Sequence, residues 1–439
     1  MSSTTLTSYE DAPVQAIQRK VARGTYMGQI TDGFILGIVG IALSYAQKPL
    51  NLDPFWMGAI GSAMMFGIFF GSTIAGAVCD RIGRRPVFML TMPAIILLSL
   101  AQFVMSDPFV LFCTRFCLGM VVGTDYTSGI ALLNEWAPTE KKSPWLAWLL
   151  IMWTIGYCIA YICGFFIETL AKSLGDEVWR YVIISSAVPG IIALLVRFGT
   201  PESPKWLDSK GRSDEALKIV QQFLGQDYGL AVPDEKPAST SWFALFAPNQ
   251  WRKTLVSGIF FFAQVLPFFA ISIFIPMVLE GLHVENPHAG GVAYNVVTLV
   301  AVFIGLPLVS LLSRRFYLAF TFWGSAALLV LLIVWKSMPA QMLLIVVCAL
   351  AFVLSLSIVL EFLYPAELFP TELRGSGVGL TITISRFGAG GGTFLLPIIT
   401  ANWGIDASLW VCCAALVFGA VICQMWAPET NPRFMKKNA

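Results

Sequence analysis

The chain is 439 residues long with a formal net charge of +2; 57% of its residues are hydrophobic, 12% are charged, and its mean hydropathy is +0.74. Soluble domains carry about twice that charged fraction, so the composition excludes a soluble protein, and basic residues scattered over many short loops exclude a nucleic-acid partner. Nine Cys fall almost all in apolar segments and the only His, His283 and His288, flank a short polar loop; neither metal-ligand spacing nor a His-based catalytic unit results, so no metal, no cofactor and no enzyme is expected.

Residues 1–25 are polar, carry Arg19, Lys20 and Arg23, and hold no apolar stretch ahead of a small-residue cleavage site. They read as a cytoplasmic N-terminal segment and not as a removable signal peptide. A helix needs about 20 apolar residues to cross about 30 Å of hydrocarbon. Runs of that kind are predicted near 26–46, 56–79, 87–105, 109–133, 145–168 and 180–198, and again near 252–276, 290–311, 316–335, 340–364, 375–399 and 406–427. Between the two sets, 199–251 carries Lys205, Lys210, Arg212, Lys218, Asp227, Asp234, Glu235 and Lys236, too polar for hydrocarbon, and reads as a soluble linker. Residues 428–439 form a tail. The expected fold is all-α: an integral membrane protein of twelve transmembrane helices in two six-helix halves, 26–198 and 252–427.

Counting Lys and Arg on alternate loops orients the chain. With the N-terminus inside, 22 of the 28 fall in cytoplasmic segments, four (Lys48, Lys172, Arg180, Lys336) in outer loops and two (Arg115, Arg386) within spans, the bias of the positive-inside rule. Both termini are therefore expected in the cytoplasm, and the lipid bilayer is that of a cell's inner (plasma) membrane.

The halves repeat each other. Glu135-Trp-Ala-Pro138-Thr139-Glu140 after the fourth span matches Glu367-Leu-Phe-Pro370-Thr371-Glu372 after the tenth. Pro201-Glu202-Ser203 after the sixth is echoed by Pro428-Glu429-Thr430 after the twelfth, and Arg84-Arg85 by Arg314-Arg315. Offsets of about 230 residues in loops of one face predict parallel repeats about an axis along the membrane normal, with substrate bound between them near mid-bilayer.

Between the second and third spans runs Gly76-Ala77-Val78-Cys79-Asp80-Arg81-Ile82-Gly83-Arg84-Arg85-Pro86. Gly76 would let helices approach closely, Gly83 would allow a tight turn, and Asp80 could pair with basic groups at a neighbouring helix end. Such a charge lock would break as the halves rock. This segment resembles the signature loop of the major facilitator superfamily. Arg115 with Gly119 and Gly123, Glu135 to Pro138, Trp179-Arg180, Pro201 to Leu207, Tyr364-Pro365 with Glu367 and Pro370, Arg374 with Gly377, and Pro428-Glu429-Thr430 resemble the set found in its sugar-porter and metabolite:proton symporter branches. The resemblance implies gating roles for Gly76, Asp80, Arg81, Gly83, Arg84, Arg85, Arg115, Glu135, Glu202, Glu367, Arg374 and Glu429. Two departures stand out: the Arg314-Arg315 loop lacks the acid and the glycine, so the lock is expected to be asymmetric, and Asp32-Gly33-Phe34-Ile35 lacks the second acid usual in relatives that move aromatic acids.

Ionisable groups inside hydrocarbon cost at least a few kcal/mol and are functional by default. Asp32 and Asp125 fall at similar depth in one half, and a carboxylate facing a low-dielectric cavity can exchange protons near neutral pH; one or both are expected to carry a coupling proton. Arg386, central in the eleventh span, wants an anion, and a carboxylate on the substrate satisfies it bidentately. Glu361, Gln264, Tyr294, Asn295 and Tyr157 complete the expected binding set.

No Gly-x-x-x-x-Gly-Lys-Ser/Thr loop is present, so an ion gradient, by the resemblance a proton gradient, is the expected energy source. The reading is a monomeric secondary transporter importing a small organic acid or related polar metabolite with protons. The alternatives are a neutral-sugar symporter and a drug or metabolite exporter. Exporters of the superfamily usually carry a Gly-Pro pair in the fifth span, and Trp153 to Gly164 has none.

Overall fold

The computed structural model describes residues 6–170, 172–230 and 242–435. Among these, twelve helices are long and apolar enough to span a membrane: Ala16–Ala46, Pro54–Ile82, Arg84–Val104, Pro108–Trp136, Thr139–Leu170, Gly175–Arg197, Trp251–Ile273, Pro287–Leu311, Arg314–Val334, Ala340–Leu368, Leu373–Trp403 and Ile405–Trp426. They are called the first to twelfth spans. Odd-numbered spans run from the face carrying both chain ends, the terminal face, to the opposite far face.

Local chemistry sets where several of these helices begin. At the far face the second, fourth and eighth each start with a cap residue followed by proline: Asp53-Pro54, Asp107-Pro108 and Asn286-Pro287. The cap side chain accepts a bond from the amide of Trp56 (2.8 Å), Val110 (3.0 Å) and Ala289 (3.2 Å) respectively. Each satisfies an otherwise orphaned helix N–H, while proline gives up a donor that had no partner. The sixth span is interrupted at Ser185 and Ser186, the seventh turns at Phe274, and the tenth passes through a tight turn at Ser357–Val359.

The spans pair by the same rule in each half. The first packs on the fifth and the second on the fourth; the seventh packs on the eleventh and the eighth on the tenth. Across the interface the second meets the eleventh and the eighth meets the fifth. Shifting by six spans maps every one of these contacts onto another, which is the three-dimensional form of the sequence repeat. The first and seventh are the most buried spans, and large apolar side chains such as Leu90, Leu97, Leu195 and Phe418 face outward, as lipid contact requires.

Two expected boundaries move. The first helix begins at Ala16, not near 26, because its first ten residues pack below the membrane on the N-terminal half: Ile17 and Val21 join Phe88, Leu132 and Trp136 in a separate buried cluster. The described part of the linker is folded onto the same surface. Helices Pro204–Ser209 and Ser213–Leu224 precede a two-residue strand, Tyr228–Gly229, that pairs in parallel with Thr7–Ser8. Val220 and Leu224 enter the cluster with Tyr9. A helical period within a polar stretch produced this docked cap. Asp234, Glu235 and Lys236 of the linker lie outside the described residues.

Candidate functional site

At the terminal face two clusters of charge sit in equivalent places. In the first half the carboxylate of Glu202 accepts from the backbone amides of Arg84 (3.1 Å), Arg85 (3.1 and 3.2 Å) and Ser203 (2.8 Å). It therefore caps the third span, whose own N-cap, Gly83 at φ 109°, offers no side chain. An anion belongs there because the helix N-terminus is positive. A Cβ on Gly83 would strike Glu202, so the glycine serves the approach as well as the turn. Burial pushes the Glu202 carboxyl above its ordinary value, against the amides that draw it down. Arg84 then reaches Glu135 (3.4 Å) and Asp80 (2.9 Å).

The second half repeats this with Glu429 on the amides of Arg314 (3.0 Å) and Arg315 (3.3 Å), and Arg314 on Glu367 (3.0 Å). The Glu–Arg–Glu core is thus present in both halves, while Asp80 and Gly83 have no counterparts in the second. Removing the Glu202 carboxylate by Glu202→Ala strands partly buried helix N-terminal amides, so it is expected to cost about 1–3 kcal/mol. The check is the melting temperature in detergent, with Glu429→Ala falling in parallel.

Other expected gating residues lie elsewhere. A Cβ on Gly76 would meet nothing within 4 Å, so no helix approaches it closely in this arrangement. Arg81 and Arg374 are exposed. Arg115 is fully buried in the far half of the fourth span, where it donates to Gln102 Oε1 (3.4 Å) and touches Met64 Sδ (3.7 Å). Depth along the helix, about 15 Å from Asp125 for ten residues, keeps Arg115 away from both the terminal clusters and Asp125.

Inside the helical bundle the buried polar groups meet. Asp32 is fully buried, and neither carboxylate oxygen has a hydrogen-bond partner. Asp125 is also buried but paired: Arg197, from the end of the sixth span, donates from Nη1 to Oδ1 (2.5 Å) and from Nη2 to Oδ2 (2.8 Å), and Thr91 donates to Oδ1 (2.6 Å). Asp125 as a free proton carrier is thereby corrected to one arm of a bidentate ion pair. Sequence reasoning missed the pair because Arg197 lies at a span end, where a basic residue reads as a cytoplasmic charge. The guanidinium also donates to the Gly24 and Phe88 carbonyls (3.1 and 2.8 Å) and lies on the Phe88 ring (3.7 Å to its centroid).

The fifth and seventh spans supply an aromatic wall. Trp153 stacks on Tyr157 (centroids 5.2 Å apart) with Phe269 edge-on to Trp153 (6.0 Å). Tyr157 donates to Ser272 Oγ (3.2 Å) across the interface between halves. In the second half Tyr294 is fully buried with its hydroxyl unpartnered, and Asn295 donates to Gly291 O (2.8 Å) while its Oδ1 has no partner. Glu361 has Arg386 and Gln264 as its charged and polar neighbours, so the structure brings these three expected residues together. Arg386 itself makes no hydrogen bond or ion pair among the described residues. Tyr126, which the sequence reading passed over, has Asp32 and Trp153 of the first half and Arg386 of the second as neighbours.

The halves are joined toward the far face. There His288 Nδ1 lies 2.7 Å from Tyr45 Oη and 2.9 Å from Glu168 Oε2, its Nε2 lies 3.4 Å from Ser44 Oγ, and Tyr161 donates to the Ser272 carbonyl. Toward the terminal face the polar clusters described above close within each half. A cleft of about 450 Å³ opens between the second and eleventh spans, lined by Phe69, Thr73, Gly379 and Thr383 and ending at Arg386. One aromatic pair, Trp148 with Phe303 (6.4 Å), still bridges the fifth and eighth spans. Polar contacts between the halves thus gather toward the far face, where a smaller cleft of about 240 Å³ lies between the first, second, seventh and eleventh spans, while the larger one reaches Arg386.

Comparison with known proteins agrees with this architecture. The model of the family described as sugar (and other) transporter matches residues 24–438. The inner membrane metabolite transport protein YgcS of Escherichia coli (strain K12) is 34% identical over 96% of this chain and 94% of its own. The putative metabolite transport protein YaaU of the same organism is 30% identical over 97% and 95%. Among solved structures, that of a D-xylose-proton symporter superposes with a TM-score of 0.79, covering 94% of this chain and 99% of that one at 15% identity, a likeness of fold. Fold and relatives alike are those of transporters, not enzymes.

Proposed function

This chain belongs to the sugar (and other) transporter family, and from that premise we propose that it imports a small organic acid or related polar metabolite together with protons, by alternating access, as a monomer in the inner membrane. The observation that carries the substrate class is Arg386: a guanidinium at mid-depth, at the end of an open cleft, with no bond to any described residue. A substrate carboxylate would supply two charge-assisted bonds there. Trp153, Tyr157, Gln264, Tyr294 and Asn295 offer the apolar wall and the few polar groups that such a site uses for orientation. Asp32 is the coupling group of this reading, and a proton-coupled structural neighbour is consistent with it. With the terminal face assigned to the cytoplasm by its Lys and Arg excess, the present arrangement faces inward. The Glu–Arg–Glu clusters then close the cytoplasmic side when the halves rock the other way.

A second reading, symport of a neutral sugar, is favoured by the proximity of Glu361 to Arg386, which would leave the guanidinium compensated and the acid free to accept from hydroxyls. Proteoliposomes challenged with a panel of small carboxylates and matched uncharged sugars separate the two. Acid-driven uptake of a carboxylate is expected, and Arg386→Gln should weaken it by about 2–5 kcal/mol, the cost of truncating one partner of a buried charge pair. Arg386→Lys should recover only part, because an ammonium lacks the planar fork. Uptake confined to uncharged sugars and indifferent to Arg386→Lys overturns the organic-acid assignment.

A further inference from the structure

The first half holds two buried carboxylates and one buried guanidinium at the same level, and only one of the carboxylates is compensated. Asp125 has Arg197 in bidentate contact and the Thr91 hydroxyl besides; Asp32 has no hydrogen-bond partner at all. Gly28 lies one turn before Asp32 on the first span, about 6 Å along the same face. A Cβ on Gly28 would collide with Arg197 Nη2 and stand 2.7 Å from Asp125 Oδ2. The ion pair therefore lies directly against the backbone of the helix that carries Asp32, and Asp125 and Arg197 are the charged groups that Asp32 feels.

Among the described residues no other cation acts on Asp32; Arg115 of the fourth span and Arg180 of the sixth are engaged toward the far face with Gln102 and Met105. The fourth span adds Tyr126, whose far side faces Arg386, and the fifth adds Trp153 and Tyr157. The titratable groups of the second and seventh spans, Cys79, Asp80, Arg81, Arg252 and Lys253, all lie at the terminal end. An isolated carboxylate anion in such a place is untenable, whereas a neutral carboxyl is tolerated.

We infer that Arg197 is a shared counter-ion of Asp125 and Asp32: it rests on Asp125 while Asp32 holds the proton, and it turns past Gly28 to Asp32 when that proton leaves. Two acids and one base make a site that is neutral with one proton bound, so the ion pair fixes the load at one proton per cycle. No bond other than the carboxyl O–H of Asp32 is made or broken, and the proton passes to a water molecule. Asp125 and Arg197 are positioning residues, acting on the proton through Asp32. The inference rests on the reading that Asp32 is the coupling group.

The test needs no substrate. The full-length chain, solubilised in detergent, is titrated while the infrared band of the protonated Asp32 carboxyl is followed, the band being assigned by its loss in Asp32→Asn. In Asp125→Asn the guanidinium is released to Asp32, and the band is expected to vanish at least about one pH unit lower than in wild type, the scale of an opposite charge brought into contact. In Asp125→Asn with Arg197→Gln, where both charges leave together, the band is expected to persist to higher pH than in Asp125→Asn alone by at least the same amount. This double variant keeps the question answerable if Asp125→Asn does not fold, by comparison with wild type, against which its band must not move to lower pH. A band that keeps its wild-type midpoint in Asp125→Asn, or moves upward, overturns the shared counter-ion. Acid-driven uptake by wild-type proteoliposomes is scored separately. Its absence beside the expected infrared shifts would remove the coupling role and leave the counter-ion exchange standing.

Discussion

Replacing Asp32 by Asn is expected to abolish accumulation of substrate against a gradient, bringing the ratio of inside to outside concentration down to about one, while exchange of solute across preloaded proteoliposomes continues. Asparagine has the shape of the protonated carboxyl and keeps its neutrality, so the buried site stays compatible with both orientations of the halves. What it cannot do is release a proton, and without release an imposed pH gradient does no work on the solute. The buried position makes the effect large: both carboxylate oxygens are without partners, and an ionisable group in hydrocarbon costs several kcal/mol to leave charged and uncompensated. In the wild type, import should rise as the outer pH falls, because outside protonation loads the site; in Asp32→Asn the dependence should flatten. The measurement is uptake at several outer pH values against a fixed inner pH. Full uphill uptake by Asp32→Asn would falsify the assignment of the coupling proton to this residue.

The second large effect separates folding from switching. Gly33 and Gly40 lie on the first span and both allow a near contact, but with different partners. A Cβ on Gly33 would collide with the Trp153 carbonyl oxygen and lie 3.0 Å from the Tyr157 amide nitrogen, in the same half. A Cβ on Gly40 would collide with the Ile273 carbonyl oxygen of the other half and stand 2.6 Å from Tyr161 Oη. Contacts inside a half persist in every state, whereas contacts between halves at the far face must open for alternating access. Gly33→Leu is therefore expected to lose folded protein outright. Gly40→Leu should fold at wild-type yield and fail to close. Overpacking costs about 1–3 kcal/mol, which shifts a two-state equilibrium by roughly 5- to 150-fold toward the far-open form. Cysteines at Ser44 and His288, whose side chains meet in the closed arrangement, report the shift: disulfide formation should drop in the Gly40→Leu background, with transport. Equal crosslinking with and without Gly40→Leu would place the closing contact elsewhere.

Much of this molecule could be read along the chain because lipid imposes one-dimensional rules. Segment length fixes the number of spans, backbone satisfaction fixes helix as their form, and the repeated Glu135/Glu367, Glu202/Glu429 and Arg84/Arg314 positions announce the two halves. The Glu–Arg–Glu clusters were legible for the same reason, since all their members lie at or just beyond helix ends of one face. Arg115 was legible as a charge inside the fourth span, while its neighbours Gln102 and Met64 were not, since they come from other helices. The docked cap at 204–229 was hidden by its polarity, which matches a solvated linker until its few apolar residues are seen to meet Tyr9 and Trp136.

The sequence by itself determined the membrane, the twelve helices, the twofold repeat and the charges that fall inside the spans, since each follows from composition, period and spacing; the buried Arg197 at a span end was not among them. Only the tertiary structure decided which charge faces which. Arg197 stands 72 residues from Asp125 and at a helix end, yet the bend of the sixth span at Ser185 and Ser186 and the missing side chain at Gly28 bring its guanidinium onto that acid and leave Asp32 alone. Pairing in a low-dielectric interior depends on distances of a few ångströms between helices, and no pattern along one helix contains them.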